Sequence, residues 1–116
     1  MPSFELIYEE EEDVLEVTFE VFDENFARAI ALNDEIVLHT DTQIATAWGL
    51  TFYSYGQLLQ SVETDLDGLQ PLDQANRSRL FALIARPPVS YFLTLLDTEQ
   101  LRAQVLAPRL KDLIAP

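Results

Sequence analysis

The clearest pattern in the chain is an alternation of apolar and polar residues over positions 15–21. The apolar members are Leu15, Val17, Phe19 and Val21, separated by Glu16, Thr18 and Glu20. A period of two is typical of a β-strand with one buried face and one solvated face. A weaker alternation over residues 4–8 predicts a strand before it. The acidic run 9–13 between them predicts a hairpin loop, because like charges cost least when they are fully solvated.

Three further strands are predicted before residue 56. Within residues 26–32, larger side chains alternate with three alanines. The apolar stretches 36–39 and 44–52 flank a polar turn at residues 40–43. Antiparallel sheets can pack one face on a core and leave the other in water. The first half of the chain therefore predicts an antiparallel β-meander of about five strands.

The second half changes to the three- and four-residue spacing of helices. We expect a helix over about 56–66 and a second one that is capped by Asp73 and ends before Pro87. A last helix should begin at 97–100, and Pro108 should kink or divide it. Residues 89–96 are strongly apolar and should be buried in the core or in an oligomer interface. These patterns predict an α+β fold in a single domain, 1–116, whose sheet half (1–55) packs against a helical half (56–116).

Charge narrows the classes of function. The 116 residues include 20 acidic and 7 basic side chains, for a net charge of −13. Such a surface disfavours nucleic acid, which needs clustered Lys and Arg. The absence of cysteine excludes disulfides and thiolate zinc sites. No apolar run approaches the ~18 residues of a membrane helix, and the first residues lack the pattern of a secretory signal, so we expect a cytoplasmic protein without membrane contact.

One segment carries a family resemblance. The sequence from Tyr8 to Val17, YEEEEDVLEV, resembles the opening of the bacterial domain of unknown function family 2283, roughly Y-D-x-E-A-D-A-L-Y-I. Ile36–Leu38, Asp41 and Gly49–Thr51 are similar in order and spacing to the later strands of that family, although Thr51 replaces its glutamate. The resemblance covers about residues 4–58 and implies a small β-rich domain. Residues after about 60 would be a helical C-terminal extension, and no catalytic residue is implied.

A short acidic stretch is the candidate metal site. Glu63, Asp65 and Asp67 are followed by Gly68, which matches positions one, three, five and six of an EF-hand calcium loop. The twelfth position is Gln74, which cannot supply the bidentate carboxylate of such loops. We therefore favour an acidic turn in which Gly68 ends a helix, and calcium binding stays the alternative.

No arrangement of residues indicates catalysis. His39 is the single histidine, there is no glycine-rich phosphate loop, and no nucleophile elbow is present. We therefore assign no catalytic residue and expect no cofactor, and an enzyme is the less favoured class.

The remaining candidate functional residues are acidic or aromatic. Glu16 and Glu20 fall on the polar side of the clearest strand, while Trp48, Tyr53 and Tyr55 form the densest aromatic patch. Carboxylates attract a basic partner over long range, and aromatic side chains contribute strongly to binding. We expect a non-catalytic protein-interaction module that uses these five residues. An antitoxin-like neutraliser of a basic ribonuclease toxin is one version, a metal-dependent binder or enzyme is another, and a homodimer is the expected assembly.

Overall fold

A computed structural model describes residues 4–20 and 23–107. Within these residues the chain forms two α-helices and eight strands, and three short 3-10 turns at Glu24–Phe26, Asp67–Leu69 and Val89–Tyr91. The elements are β1 (Glu5–Glu9), β2 (Val14–Thr18), β3 (Arg28–Ala31), β4 (Ile36–Thr40), β5 (Ala47–Tyr53), α1 (Tyr55–Gln60), β6 (Thr64–Asp65), α2 (Gln74–Ile84), β7 (Leu93–Asp97) and β8 (Arg102–Val105).

The first five strands form one antiparallel sheet, as predicted, but they do not form a meander. Their order is β1-β2-β5-β4-β3, so β5 lies between β2 and β4. The reason is burial on both sides of β5: Leu50 and Phe52 are fully buried on one face, and Thr51 is 9% exposed on the other. A strand with so little exposed surface is most stable in the middle of a sheet.

The predicted first hairpin is confirmed. Tyr8 pairs with Leu15 and Leu6 with Val17 across β1 and β2, and residues 10–13 form the connecting turn. Leu15, Val17 and Phe19 are buried and Glu16 is exposed, as the alternation indicates. The position of Val21 lies outside the described residues.

The two predicted helices after residue 55 exist, but the first is shorter than expected. α1 ends at Gln60, and residues 64–65 pair with β8 as a strand instead of continuing the helix. The Asp73 carboxylate accepts a 2.8 Å hydrogen bond from the Asn76 N–H and caps α2, as predicted. The Arg77 side chain donates to the carbonyls of residues 69, 70 and 72, which fixes the loop before the helix.

The predicted last helix is wrong for its first part, which is a β-hairpin. β7 and β8 pair antiparallel, and the Asp97 carboxylate accepts hydrogen bonds from the backbone N–H groups of Glu99 and Gln100. An aspartate that binds N–H groups two and three residues ahead can begin a helix or close a turn, so the same local signal fits both structures. Residues 56–107 are therefore not a purely helical half. The remainder of the predicted helix, from Pro108, lies outside the described residues.

The two halves share one cluster of buried apolar side chains. It contains Leu38, Leu50 and Phe52 of the sheet, and Leu80 and Ile84 of α2. Of the apolar segment 89–96, the side chains of residues 89, 92 and 93 are buried in this cluster, whereas Leu96 is 49% exposed. The layer that packs against the inward face of the main sheet therefore consists of α2, α1 and the small sheet β6-β8-β7. No helix within the described part of the chain is long and apolar enough to cross a membrane.

Candidate functional site

The outward side of the main sheet has exposed side chains toward its edges, around a centre in which Gly49 and Thr51 are buried. Strand register places the outward residues in rows, because cross-strand partners share a face. One row joins Ile7, Glu16, Thr51 and Val37. We call this surface the open face, and it comprises Glu5, Ile7, Glu9, Val14, Glu16, Thr18, Ala29, Ala31, Val37, His39, Gly49, Thr51 and Tyr53.

The open face carries three carboxylates and no Lys or Arg. Glu16 pairs directly with Ile7, so Glu5 and Glu9 are its diagonal neighbours at about 7–8 Å. All three glutamates are exposed. Within residues 4–20 and 23–107 the ion pairs are those of Arg102 with Glu63 and Asp65, so none of the three is neutralised by a basic side chain. The face therefore presents an uncompensated negative patch.

The centre of the open face is polar but not charged. The Nε2 atom of His39 and the Oγ1 atom of Thr51 lie 3.1 Å apart in a hydrogen bond between adjacent strands. Tyr53, at the end of β5, is 45% exposed on the same face. Trp48 is half-buried, next to the irregularity in register between β4 and β5 at residues 39–40. His39 and Trp48 make further interactions, so neither is a free group waiting for a ligand.

Three of the five predicted partner-binding residues are not among the residues of this face: Trp48, which lies beside the irregularity in register, Tyr55 and Glu20. Tyr55 is half-buried on the inward side, where its hydroxyl donates a 3.0 Å hydrogen bond to the carbonyl of Leu106. Its ring lies 5.4 Å from that of Phe52, and burial raises the pKa of the Tyr55 phenol. Glu20 lines a separate cleft of about 360 Å³ together with Arg86 and Pro88. The predicted set is therefore split, and Glu16 and Tyr53 are the members that share the open face.

The acidic stretch 63–68, the alternative calcium loop, is divided between two elements. Asp65 is part of the short strand β6, and Asp67 begins a 3-10 turn. The Arg102 guanidinium lies 3.3 Å from the Glu63 carboxylate and 2.9 Å from that of Asp65, so a side-chain cation occupies the space between them. In the described ranges, no three His, Cys, Asp or Glu side chains converge in a way that could hold a metal ion.

Gly68 has a different role from the predicted helix stop. Its backbone N–H donates a 2.9 Å hydrogen bond to the carbonyl of Leu32, and a β-carbon at this position would overlap the carbonyl oxygen of Ala31. The glycine is therefore required by the close approach of this turn to the end of β3, not by a left-handed backbone, since its φ is not positive.

Sequence reasoning missed the role of Asp13, which it placed in a solvated loop. The Asp13 carboxylate accepts hydrogen bonds from the Tyr8 hydroxyl at 2.7 Å and from the Gly56 N–H at 2.9 Å. Asp13 also adopts a left-handed backbone with φ of 56°, which Asp tolerates better than most residues. The one local signal was an acidic run that ends directly before a strand. The partner at Gly56 is 43 residues away and could not be read from the sequence.

Comparisons with known proteins add no relative. No family model, curated protein or solved structure matches the chain. The resemblance of residues 4–58 to domain of unknown function family 2283 therefore stays an expectation from the sequence.

Proposed function

We propose that the protein is a non-catalytic interaction module that binds a basic protein through the open face. The observation that supports this most directly is the uncompensated carboxylate group formed by Glu5, Glu9 and Glu16, beside the exposed ring of Tyr53. The exposed side chains of this sheet face offer a contact area. It fits recognition of a macromolecule better than binding of a small substrate.

The charge of the whole chain supports the same proposal. A net charge of −13 attracts a cationic protein over long range and raises the rate of encounter. The open face then supplies the specific contacts, in which Tyr53 contributes a large side chain that loses little conformational freedom on binding. Binding of this type weakens as salt screens the charges.

An antitoxin-like role against a basic ribonuclease is the most concrete form of this proposal. It rests on the sign of the charge and on the family resemblance, which implies that some members are encoded beside basic toxin-like proteins. The competing class, a metal-dependent binder or enzyme, has less support, because Arg102 pairs with two of the three acids that would hold the metal.

The test is affinity capture from a native lysate with the immobilised full chain. We expect a basic protein to be retained and to elute as salt is raised, and the identified protein is then produced pure to measure its Kd. The open-face variant Glu5→Gln/Glu16→Gln should bind several-fold more weakly than the wild type. Adding Tyr53→Ala should remove the remaining affinity.

The matched control is Glu11→Gln/Glu12→Gln in the hairpin loop. It removes the same two charges from exposed positions outside the open face. Equal weakening by the two double variants would mean that only total charge matters, which would contradict a defined binding face. Retention of acidic proteins, or binding that does not depend on salt, would contradict the proposal as a whole.

The homodimer remains a separate prediction. It rests on the apolar segment 89–96 and on the apolar residues of the predicted last helix. The structure buries residues 89, 92 and 93 of that segment inside the chain, which weakens the first reason. Sedimentation equilibrium at high micromolar concentration checks it, and a monomer at that concentration would contradict it.

A further inference from the structure

An apolar groove lies along the inward side of the edge strand β1. Leu6 and Tyr8 point inward, yet they are 44% and 49% exposed, whereas Leu15 and Val17, on the same side of the next strand, are 7% and 3% exposed. The layer that covers the sheet thus ends before it reaches β1. We call the resulting space of about 400 Å³ the edge groove, and its lining includes Leu6, Tyr8, Tyr55, Leu59, Phe92 and Ala107.

The end of the described chain lies in this groove. Ala107 is both the last described residue and part of the groove lining. The preceding residue is held on two sides: the Leu106 N–H donates to the Phe92 carbonyl at 2.8 Å, and the Leu106 carbonyl accepts the Tyr55 hydroxyl at 3.0 Å. Leu106 is therefore held in place beside the exposed apolar side chains of the groove.

The segment that follows has the chemistry to cover the groove. Residues 108–116, PRLKDLIAP, include the apolar residues Leu110, Leu113 and Ile114 and the cations Arg109 and Lys111. At about 3.3 Å per residue, nine residues can extend across up to about 30 Å. That length is comparable with the molecular extents of 34 × 31 × 28 Å.

The side chains of the segment, Arg109, Lys111 and Asp112, carry a net charge of +1, whereas the groove rim is acidic. Tyr8 lines the groove and binds Asp13 through its hydroxyl, so the acidic loop 9–13 lies at one side of the groove. The two cations of the segment would face carboxylates there, while its three large apolar side chains would cover Leu6 and Leu59.

We propose that the edge groove is the docking site of the chain's own C-terminal segment, residues 108–116. Because the segment is tethered at the groove, its effective concentration there is on the order of millimolar, which favours it over a free partner. The edge groove is on the inward side of the sheet and the open face is on the outward side. The proposal is therefore independent of the proposed function, and each can fail alone.

Cysteine cross-linking tests the proposal without background, because the natural chain has no cysteine. In the Leu59→Cys/Leu113→Cys variant, one thiol replaces a groove side chain and the other a segment side chain. Under mild oxidation at low micromolar protein, we expect an intramolecular disulfide, seen as faster migration on a non-reducing gel. Mass spectrometry of the peptides then identifies the bond.

The matched control is Val62→Cys/Leu113→Cys. Val62 is 81% exposed and lies three residues beyond Leu59, outside the groove lining. We expect the groove pair to cross-link several-fold faster than the control pair. Equal rates would overturn the proposal, and so would disulfide-linked dimers from the groove pair, which would indicate that a second copy occupies the groove.

A second measurement uses the segment without cysteines. The full-length Leu113→Asp/Ile114→Asp variant should bind an environment-sensitive apolar dye more strongly than the wild type, because the groove becomes exposed. Leu96→Asp, at an exposed position of β7, controls for adding a charge at the surface. Unchanged dye binding in the segment variant would overturn the proposal.

Discussion

The Tyr8 hydroxyl donates a 2.7 Å hydrogen bond to the Asp13 carboxylate across the first hairpin. The same carboxylate receives the N–H of Gly56, so it joins the β1–β2 turn to the start of α1. The Tyr8 hydrogen bond, followed by that from Gly56, lowers the pKa of Asp13. The same contact raises the pKa of the Tyr8 phenol.

Asp13→Asn should lower the free energy of unfolding at pH 7, since a neutral amide accepts these hydrogen bonds more weakly than a carboxylate. Asn tolerates the left-handed backbone, so strain is not the cause. Because the pKa of Asp13 is lowered in the folded state, its stabilisation is present above about pH 3.9, the value for a free aspartate. It is lost as the pH falls through the lower, folded-state pKa.

Urea unfolding at pH 7 and at pH 3 measures this difference between wild type and variant, with Glu12→Gln in the same loop as the control. We expect the difference to be largest at pH 7 and to shrink at the acidic end, while the control differs little from wild type at either pH. A difference of the same size at both values would show that the carboxylate charge is not involved.

Gly68→Ala should be strongly destabilising, because the new β-carbon would overlap the backbone of residues 31–32, which cannot move without distorting β3. We expect the free energy of unfolding to fall by roughly 1–3 kcal/mol, as it does at other overpacked sites. Gly56→Ala is the comparison: its β-carbon would lie 3.3 Å from the Asp13 carboxylate oxygens, which belong to a side chain that can shift. Chemical denaturation of both variants tests this, and similar losses would contradict the assignment.

Phe52→Ala and Tyr53→Ala should differ sharply although the residues are adjacent. Phe52 is fully buried, so Phe52→Ala should lower the free energy of unfolding by about 3–5 kcal/mol, because the substitution leaves a cavity in the core. Tyr53 is 45% exposed on the open face, so its loss should be close to neutral for stability, within about 0.5 kcal/mol. The free energies of unfolding from urea titrations decide this, and a large loss for Tyr53→Ala would mean that the open face is covered.

Calcium should not stabilise the protein. Arg102 already pairs with Glu63 and Asp65, so a divalent ion would have to displace a bound guanidinium. Thermal unfolding with increasing calcium, against magnesium and sodium at equal ionic strength, measures the effect. A saturable rise in Tm that is specific to calcium would contradict this prediction and support a metal-binding function.

The parts of the fold that the sequence predicted are those set by local pattern. The alternation around Leu15 and Val17 identified a strand and its buried face, and the carboxylate of Asp73 marked the start of α2. The position of β5 could not be predicted in this way, because it depends on pairing with β2, whose paired residues lie 31 to 39 positions earlier. Asp97 shows a second limit: its hydrogen bonds to the next N–H groups suit a helix and a tight turn equally well.

The candidate site was predictable to a similar extent. Glu16 could be placed on a solvated face from the alternation alone, but its neighbours on the open face follow from register. Tyr55 and Tyr53 are two positions apart and seemed to form one patch in the sequence. The strand ends at Tyr53, α1 begins at Tyr55, and the two rings therefore lie in different environments.

The position of β5 has a consequence for the newborn chain on the ribosome. Translation proceeds at about 5–20 residues per second, so β2 emerges some seconds before the strand that covers its second edge. During that interval its apolar side chains are open to wrong partners. Carboxylates at positions 9–13, 16 and 20 flank and interrupt this stretch, and such charges oppose aggregation. The acidity of the first hairpin would thus protect the chain before it has a fold.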